Sequence, residues 1–95
     1  MDFYVYILYS ASADKYYVGS TSHLKQRLKI HNAGGYKHSS TKFATDWDVF
    51  YTLKCETRAQ AGKIEQHIKR MRNRTYYQNL KKYPKMGKKL LLKYL

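Results

Sequence analysis

Two tyrosines, an arginine, a histidine and a glutamate stand in this chain at spacings that suit chemistry on a phosphodiester. Tyr6 closes the triplet Tyr4-Val5-Tyr6 and Tyr17 opens Tyr17-Val18-Gly19, with Arg27 and His31 following and Glu65 well downstream. Hydrolysis of a P–O bond needs an activated water and a cation to steady the extra negative charge of the transition state. A metal usually neutralises the leaving oxygen. Arg27 suits the second need, because its planar fork matches phosphate oxygens. Glu65 suits the third, since a carboxylate is a hard ligand of the kind Mg²⁺ or Mn²⁺ takes. A phenol can manage the water's proton only if cations or a metal lower its pKa from about 10. His31 titrates closer to neutrality and is the alternative.

Each residue also has a plainer reading. Strand tyrosines are commonly half-buried, and an arginine is commonly a surface or capping residue. A charged histidine is favourable at a helix end. Glu65 can pair with Lys69 one turn later for a few tenths of a kcal/mol. Their joint order carries more weight than any one of them. Other chemistries lack their residues: there is no CxxC, HExxH, P-loop or GxGxxG in the sequence. The four histidines and single cysteine do not make a structural zinc motif.

These residues need elements to position them. Residues 3–9 are aliphatic or aromatic throughout, which predicts a central strand covered on both faces. A polar turn over 10–15 leads to a second strand over 16–20, forming a hairpin. Pairing Tyr9 with Tyr16 sets Leu8 opposite Tyr17 and Tyr6 opposite Gly19. Tyr6 and Tyr17 then become diagonal neighbours on one face; a slip of one residue would separate them. Ser20, Thr21 or Ser22 is expected to cap a helix running to about Asn32 and ending at Gly34-Gly35. Leu24 and Leu28 mark its buried stripe, with Arg27 and His31 bordering it. Alternation over 47–54 predicts a third strand with Trp47, Val49, Tyr51 and Leu53 on one face. Thr57 is expected to cap a helix to about Met71 that buries Ala61, Ile64, Ile68 and Met71 and holds Glu65 at the edge of its packed face. A short helix over 76–82 stops at Pro84. The tail 85–95 mixes lysine and leucine and reads as a docked helix or a frayed end.

The 95 residues fit one domain, 1–95, with no internal repeat or linker. Nineteen Lys and Arg against six Asp and Glu give a net charge of +13, which favours a polyanionic partner. No segment approaches the ~18 apolar residues of a membrane span, so nucleic acid, DNA or RNA, is preferred over membrane. No obligate protein partner is expected. Cytoplasm is the expected location, in keeping with a lone Cys55, read as a small buried hydrophobe. Candidate phosphate contacts are Lys37, His38 and Lys42 in the loop after the first helix, and Arg70, Arg72 and Arg74 after the glutamate helix.

The pattern resembles the GIY-YIG endonuclease superfamily, in particular its small bacterial single-domain members. Tyr4-Val5-Tyr6 stands for GIY and Tyr17-Val18-Gly19 for YIG. Ser20-Thr21, Leu24, Arg27-Leu28 and His31-Asn32 are similar to the family's first-helix signature. Trp47 to Tyr51 is similar to its Trp-led third strand, and Thr57-Arg58-Ala59 with Glu65 to its metal-binding helix. Asn79 stands near a late family asparagine. The resemblance implies an α+β fold, a mixed but mainly antiparallel three-stranded sheet flanked by helices in the order β-β-α-β-α-α. It also implies metal-dependent cleavage of nucleic acid and favours DNA, with Tyr6 and Tyr17 as active-site tyrosines, Arg27 on the phosphate, His31 as helper and Glu65 holding one Mg²⁺ or Mn²⁺. One departure is the glycine of GIY, which is Tyr4 here and adds bulk at the start of the strand. A nucleic-acid-binding module with a silent site is the alternative; an adaptor for acidic proteins is a weaker third.

Overall fold

The computed structural model describes residues 2–33 and 44–95. In chain order the elements are β1 (Phe3–Ser10), β2 (Lys15–Thr21), α1 (Leu24–Asn32), β3 (Trp47–Cys55), α2 (Arg58–Met71), α3 (Arg74–Lys82) and α4 (Pro84–Lys93). The three strands form one sheet in the order β2-β1-β3, and both pairings are antiparallel. This is the expected α+β class; among the described residues both strand pairings are antiparallel, not mixed, and the tail adds a further helix, α4.

β1 lies at the centre because both of its faces are apolar, and each face nucleates its own core. Val5 and Ile7 pack with Val18, Ile64, Ile68 and Leu80 beneath α2, α3 and α4. Tyr6 and Leu8 pack on the opposite face with Trp47 and Ala44, with Leu24 and Leu28 of α1 against them. The hairpin takes the expected register: Tyr9 faces Tyr16, Leu8 faces Tyr17 and Tyr6 faces Gly19. Tyr4 pairs regularly with Thr21 and with Lys54, so a tyrosine in place of the motif glycine leaves the strand undistorted.

β3 differs from its expected pattern. Its pairing with β1 shifts between Ile7 and Leu8, so that Ile7 faces Tyr51 while Leu8 faces Val49, leaving Phe50 as the extra residue of a bulge. The bulge reverses the alternation. Tyr51 and Leu53 join the core under α2 and α4, whereas Trp47 is delivered to the Tyr6 face and Val49 is left exposed. The four residues therefore do not share one face.

Helix ends follow local chemistry with two exceptions. Thr57 caps α2 as expected, its hydroxyl accepting from the backbone N–H of Gln60 at 3.1 Å. Asn73 caps α3 through the N–H groups of Thr75 and Tyr76. α1 begins one residue later than its serines and threonine suggest: His23 is the cap residue and makes no side-chain cap bond, while Thr21 accepts from the His23 N–H at 2.9 Å. The expected stop at Gly34-Gly35 lies outside the described residues. Met71 is exposed, because α2 reverses at Arg72, and the buried stripe is completed by Gln60 instead. Gln60 donates to the Leu91 carbonyl and accepts from the Glu56 N–H, tying α4 to the start of α2. Pro84 ends α3 and opens α4 in its first turn, where a missing N–H costs nothing. α4 is docked, not frayed. Leu90 is buried, and Gly87 lies so close to β3 that an added Cβ would meet the Tyr51 hydroxyl at 2.5 Å. Among the described residues no helix is long and apolar enough to cross a membrane.

Candidate active site

Tyr6 reaches the site because its partner across the hairpin is a glycine. The phenol lies flat over Gly19, where a Cβ would stand 2.5 Å from the hydroxyl and 2.6 Å from Cζ. A side chain at position 19 would push the ring away. From this position the Tyr6 hydroxyl lies 3.2 Å from His31 Nε2. Tyr17 sits diagonally across the same face, 6.4 Å from Tyr6 between ring centroids and 4.7 Å from His31. The three rings form one cluster on the α1 side of the sheet, with Tyr6 and His31 buried and Tyr17 half-buried at the β2 edge.

His31 is more deeply placed than a residue bordering the packed face, being only 2% exposed. Asn32 accounts for this. Its side chain accepts from the Trp47 N–H at 2.7 Å and donates to the Trp47 carbonyl at 3.0 Å, clamping the end of α1 to the start of β3. That clamp presses the preceding residue, His31, down onto the tyrosines. Burial, together with the Arg27 charge, holds the His31 pKa below its ordinary value. The imidazole is therefore neutral at neutral pH and can accept a proton at one nitrogen.

Arg27, one turn earlier, is exposed. It lines a 230 Å³ cleft with Ser20, Thr21, Ser22, His23, Phe3, Ala61 and Arg58. Glu65 comes from the other layer. It stands on α2 with its side chain 16% exposed, at the edge of the packed face as its helical position suggested. Ser20 of β2 donates to Glu65 Oε1, and Lys69 Nζ lies 2.6 Å from Oε2. Lys69 also sits 5.9 Å from the centre of the Tyr17 ring. The carboxylate and the tyrosines thus approach the open edge of β2 from opposite faces of the sheet, with Lys69 reaching between them. The simple pairing of Glu65 with Lys69 is present; the Ser20 contact was not legible, since nothing in the sequence pairs a strand serine with a helix 45 residues away.

A hard divalent cation suits this donor set in one way. Glu65 supplies one carboxylate and Ser20 a hydroxyl beside it; among the described residues no group of three His, Cys, Asp or Glu side chains could hold a metal. Such a site resembles those where one or two carboxylates hold Mg²⁺ and the remaining positions go to water and substrate phosphate.

The basic candidates divide. Lys69, Arg70 and Arg72 line an open hollow next to Glu65. Arg74 turns to the hairpin, where it pairs with Asp14 at 2.8 Å and also donates to the Asp14 carbonyl. This pairing, with a bond from the Tyr9 hydroxyl, holds the Asp14 pKa below the usual carboxylate range. Lys37, His38 and Lys42 lie outside the described residues. Cys55 is buried, and burial raises its thiol pKa, so it is no nucleophile. His67 bonds the Tyr94 hydroxyl at 2.8 Å and so fastens α4 to α2.

The model of the GIY-YIG catalytic domain matches residues 2–83, from the start of β1 through α3. Comparison with curated proteins and with solved structures gives no significant match.

Proposed function

The chain belongs to the GIY-YIG family, a nuclease-type family, and on that footing we propose that it is a metal-dependent endonuclease that hydrolyses phosphodiester bonds of nucleic acid, DNA in the first instance. The observation that carries this reading is the meeting of Tyr6, Tyr17 and His31 on one face of the β2 edge with Glu65 on the other, Lys69 bridging them. The net charge of +13 supports a polyanionic substrate.

Arg27 binds the phosphate and steadies its growing charge. Tyr17, the half-buried phenol, holds the attacking water at the sheet edge. The water's proton leaves toward the Tyr6–His31 pair, with His31 in the tautomer that carries its hydrogen on Nδ1 and accepts at Nε2. Burial and, after it, the Arg27 charge keep His31 neutral in the free protein; the Arg27 part is offset once a phosphate binds that arginine, which favours proton uptake by His31 at that stage. Glu65 and Ser20 would hold a divalent cation, which when bound supplies charge neutralisation at the leaving oxygen. Lys69 must move off Oε2 to admit it.

A second reading, a binding module that does not cut, draws on one observation: both Glu65 oxygens are already engaged, by Ser20 and Lys69. A nicking assay separates the two. Purified protein is offered supercoiled plasmid, branched DNA and RNA, with and without Mg²⁺ or Mn²⁺. The nuclease reading expects metal-dependent cleavage that Glu65→Ala and Arg27→Ala lose while remaining folded. Binding without cleavage on every substrate and metal selects the module, and full activity in either variant removes the assigned roles.

A further inference from the structure

The cleft beside Arg27 is lined by a second arginine, Arg58. At 230 Å³ it is many times the ~10–15 Å³ that one water needs. Three consecutive hydroxyl residues at the junction of β2 and α1, Ser20, Thr21 and Ser22, line it, and so does Arg58, the first residue of α2. Its guanidinium lies 5.6 Å from the centre of the Phe3 ring, and this stacking holds the cation at the cleft. Arg27 reaches two places: its charge acts on His31, on the tyrosine side, and its side chain lines this cleft. A strand whose phosphate is held at the tyrosines and Arg27 therefore runs past Arg27 toward Arg58.

We propose that the cleft is a second phosphate-binding subsite, with Arg58 as its clamp, taking the phosphate next to the one that is cut. This rests on the nuclease reading above. Two arginines in one cleft with the Thr21 and Ser22 hydroxyls match the tetrahedral, multiply accepting oxygens of a phosphodiester, while the Ser20 hydrogen is already given to Glu65. Ser20 belongs to both sites, lining the cleft while bonding Glu65, so filling the subsite fixes the strand relative to the metal ligand. Arg58 is a positioning residue: it touches the neighbouring phosphate, not the reacting one.

The test uses the full chain and a labelled DNA duplex, with Kd measured without metal over a salt series and cleavage kinetics measured with Mg²⁺ or Mn²⁺. Arg58→Ala should weaken binding about tenfold and reduce the salt slope by about 0.9, the share of one phosphate. The kinetic loss should fall mainly on KM, whereas Arg27→Ala loses mainly kcat. Arg58→Lys should restore the slope but only part of the affinity, since a point charge replaces a fork. Ser22→Asp, which puts an anion in the cleft without touching Arg58, should weaken binding as well. Lys88→Ala on α4, the same charge removed elsewhere, should do neither. Arg58→Ala or Ser22→Asp that binds as wild type, with an unchanged slope, overturns the subsite and leaves the nuclease reading intact if wild type cleaves. Wild-type protein that neither binds nor cleaves nucleic acid overturns both.

Discussion

Replacing Gly19 with alanine tests how the Tyr6 phenol is held. The new methyl would meet the Tyr6 hydroxyl at 2.5 Å, Cζ at 2.6 Å and Cε1 at 3.1 Å. Carbon contacts are comfortable at about 3.5–4.0 Å, so the end of the ring must move by about 1 Å. It has little room to do so: Tyr6 is 2% exposed and packs with Leu8, Ala44 and Trp47. Overpacking of this kind costs about 1–3 kcal/mol, and a displaced hydroxyl loses its bond to His31, worth about 0.5–1.5 kcal/mol. A total of about 1.5–4.5 kcal/mol should lower Tm by at least ~6 °C in a domain of this size. An error of about 1 Å in a reacting group costs about a hundredfold in rate. Urea titration with cleavage kinetics below the new Tm measures both. The cause is isolated by repeating Gly19→Ala in a Tyr6→Leu background, where no phenol lies over the glycine and the added cost should largely vanish. Gly19→Ala with unchanged stability, or with the same cost in both backgrounds, would refute the close approach as the reason for glycine there.

Two further predictions follow from the same geometry. His31 and His67 both titrate below their ordinary value, His31 through burial and the Arg27 charge, His67 through burial and the Lys93 and Arg70 charges. A histidine with a depressed folded pKa binds its proton first in the unfolded chain. Stability should therefore be full above about pH 6.5 and decline as pH falls below it, by up to ~1.4 kcal/mol per pH unit for the buried His31, with a smaller, solvent-screened share from the more exposed His67. Urea midpoints from pH 7.5 to 5 check this, and His31→Gln should flatten the decline; a midpoint that rises on acidification contradicts the burial argument. Arg72, which ends α2 at φ 43°, is the second case. Arg72→Gly should raise stability by about 0.5–1 kcal/mol by relieving a left-handed conformation, while weakening nucleic-acid binding; a destabilised Arg72→Gly variant would show that the side chain's contacts outweigh the strain.

The hairpin and the glutamate helix were legible in the sequence because their signals are local. The register that puts Tyr6 over Gly19 follows from one pairing, and Thr57 caps α2 through its own hydroxyl. What escaped reading depends on contacts between distant segments. His31 is buried because Asn32 clamps Trp47, a tie across 15 residues. The Phe50 bulge breaks an alternation that looks continuous along the chain, and only the pairing with β1 exposes it. The lysine-rich tail is the docked helix of the two readings its composition left open, because Leu90 and Gly87 pack into the core. In the sequence Arg58 reads only as part of the Thr57-Arg58-Ala59 segment that opens the glutamate helix; that it lines a cleft with Arg27 shows only in the fold.

Residues that act as one unit lose activity once, not twice. The most direct measurement is therefore the single-turnover cleavage rate of Tyr17→Phe, Glu65→Ala and the double variant, under saturating protein with Mg²⁺ or Mn²⁺. A shared site predicts a double variant about as slow as the slower single one. Losses that multiply, or a Glu65→Ala variant as fast as wild type, would mean that the two faces of the β2 edge do not work together.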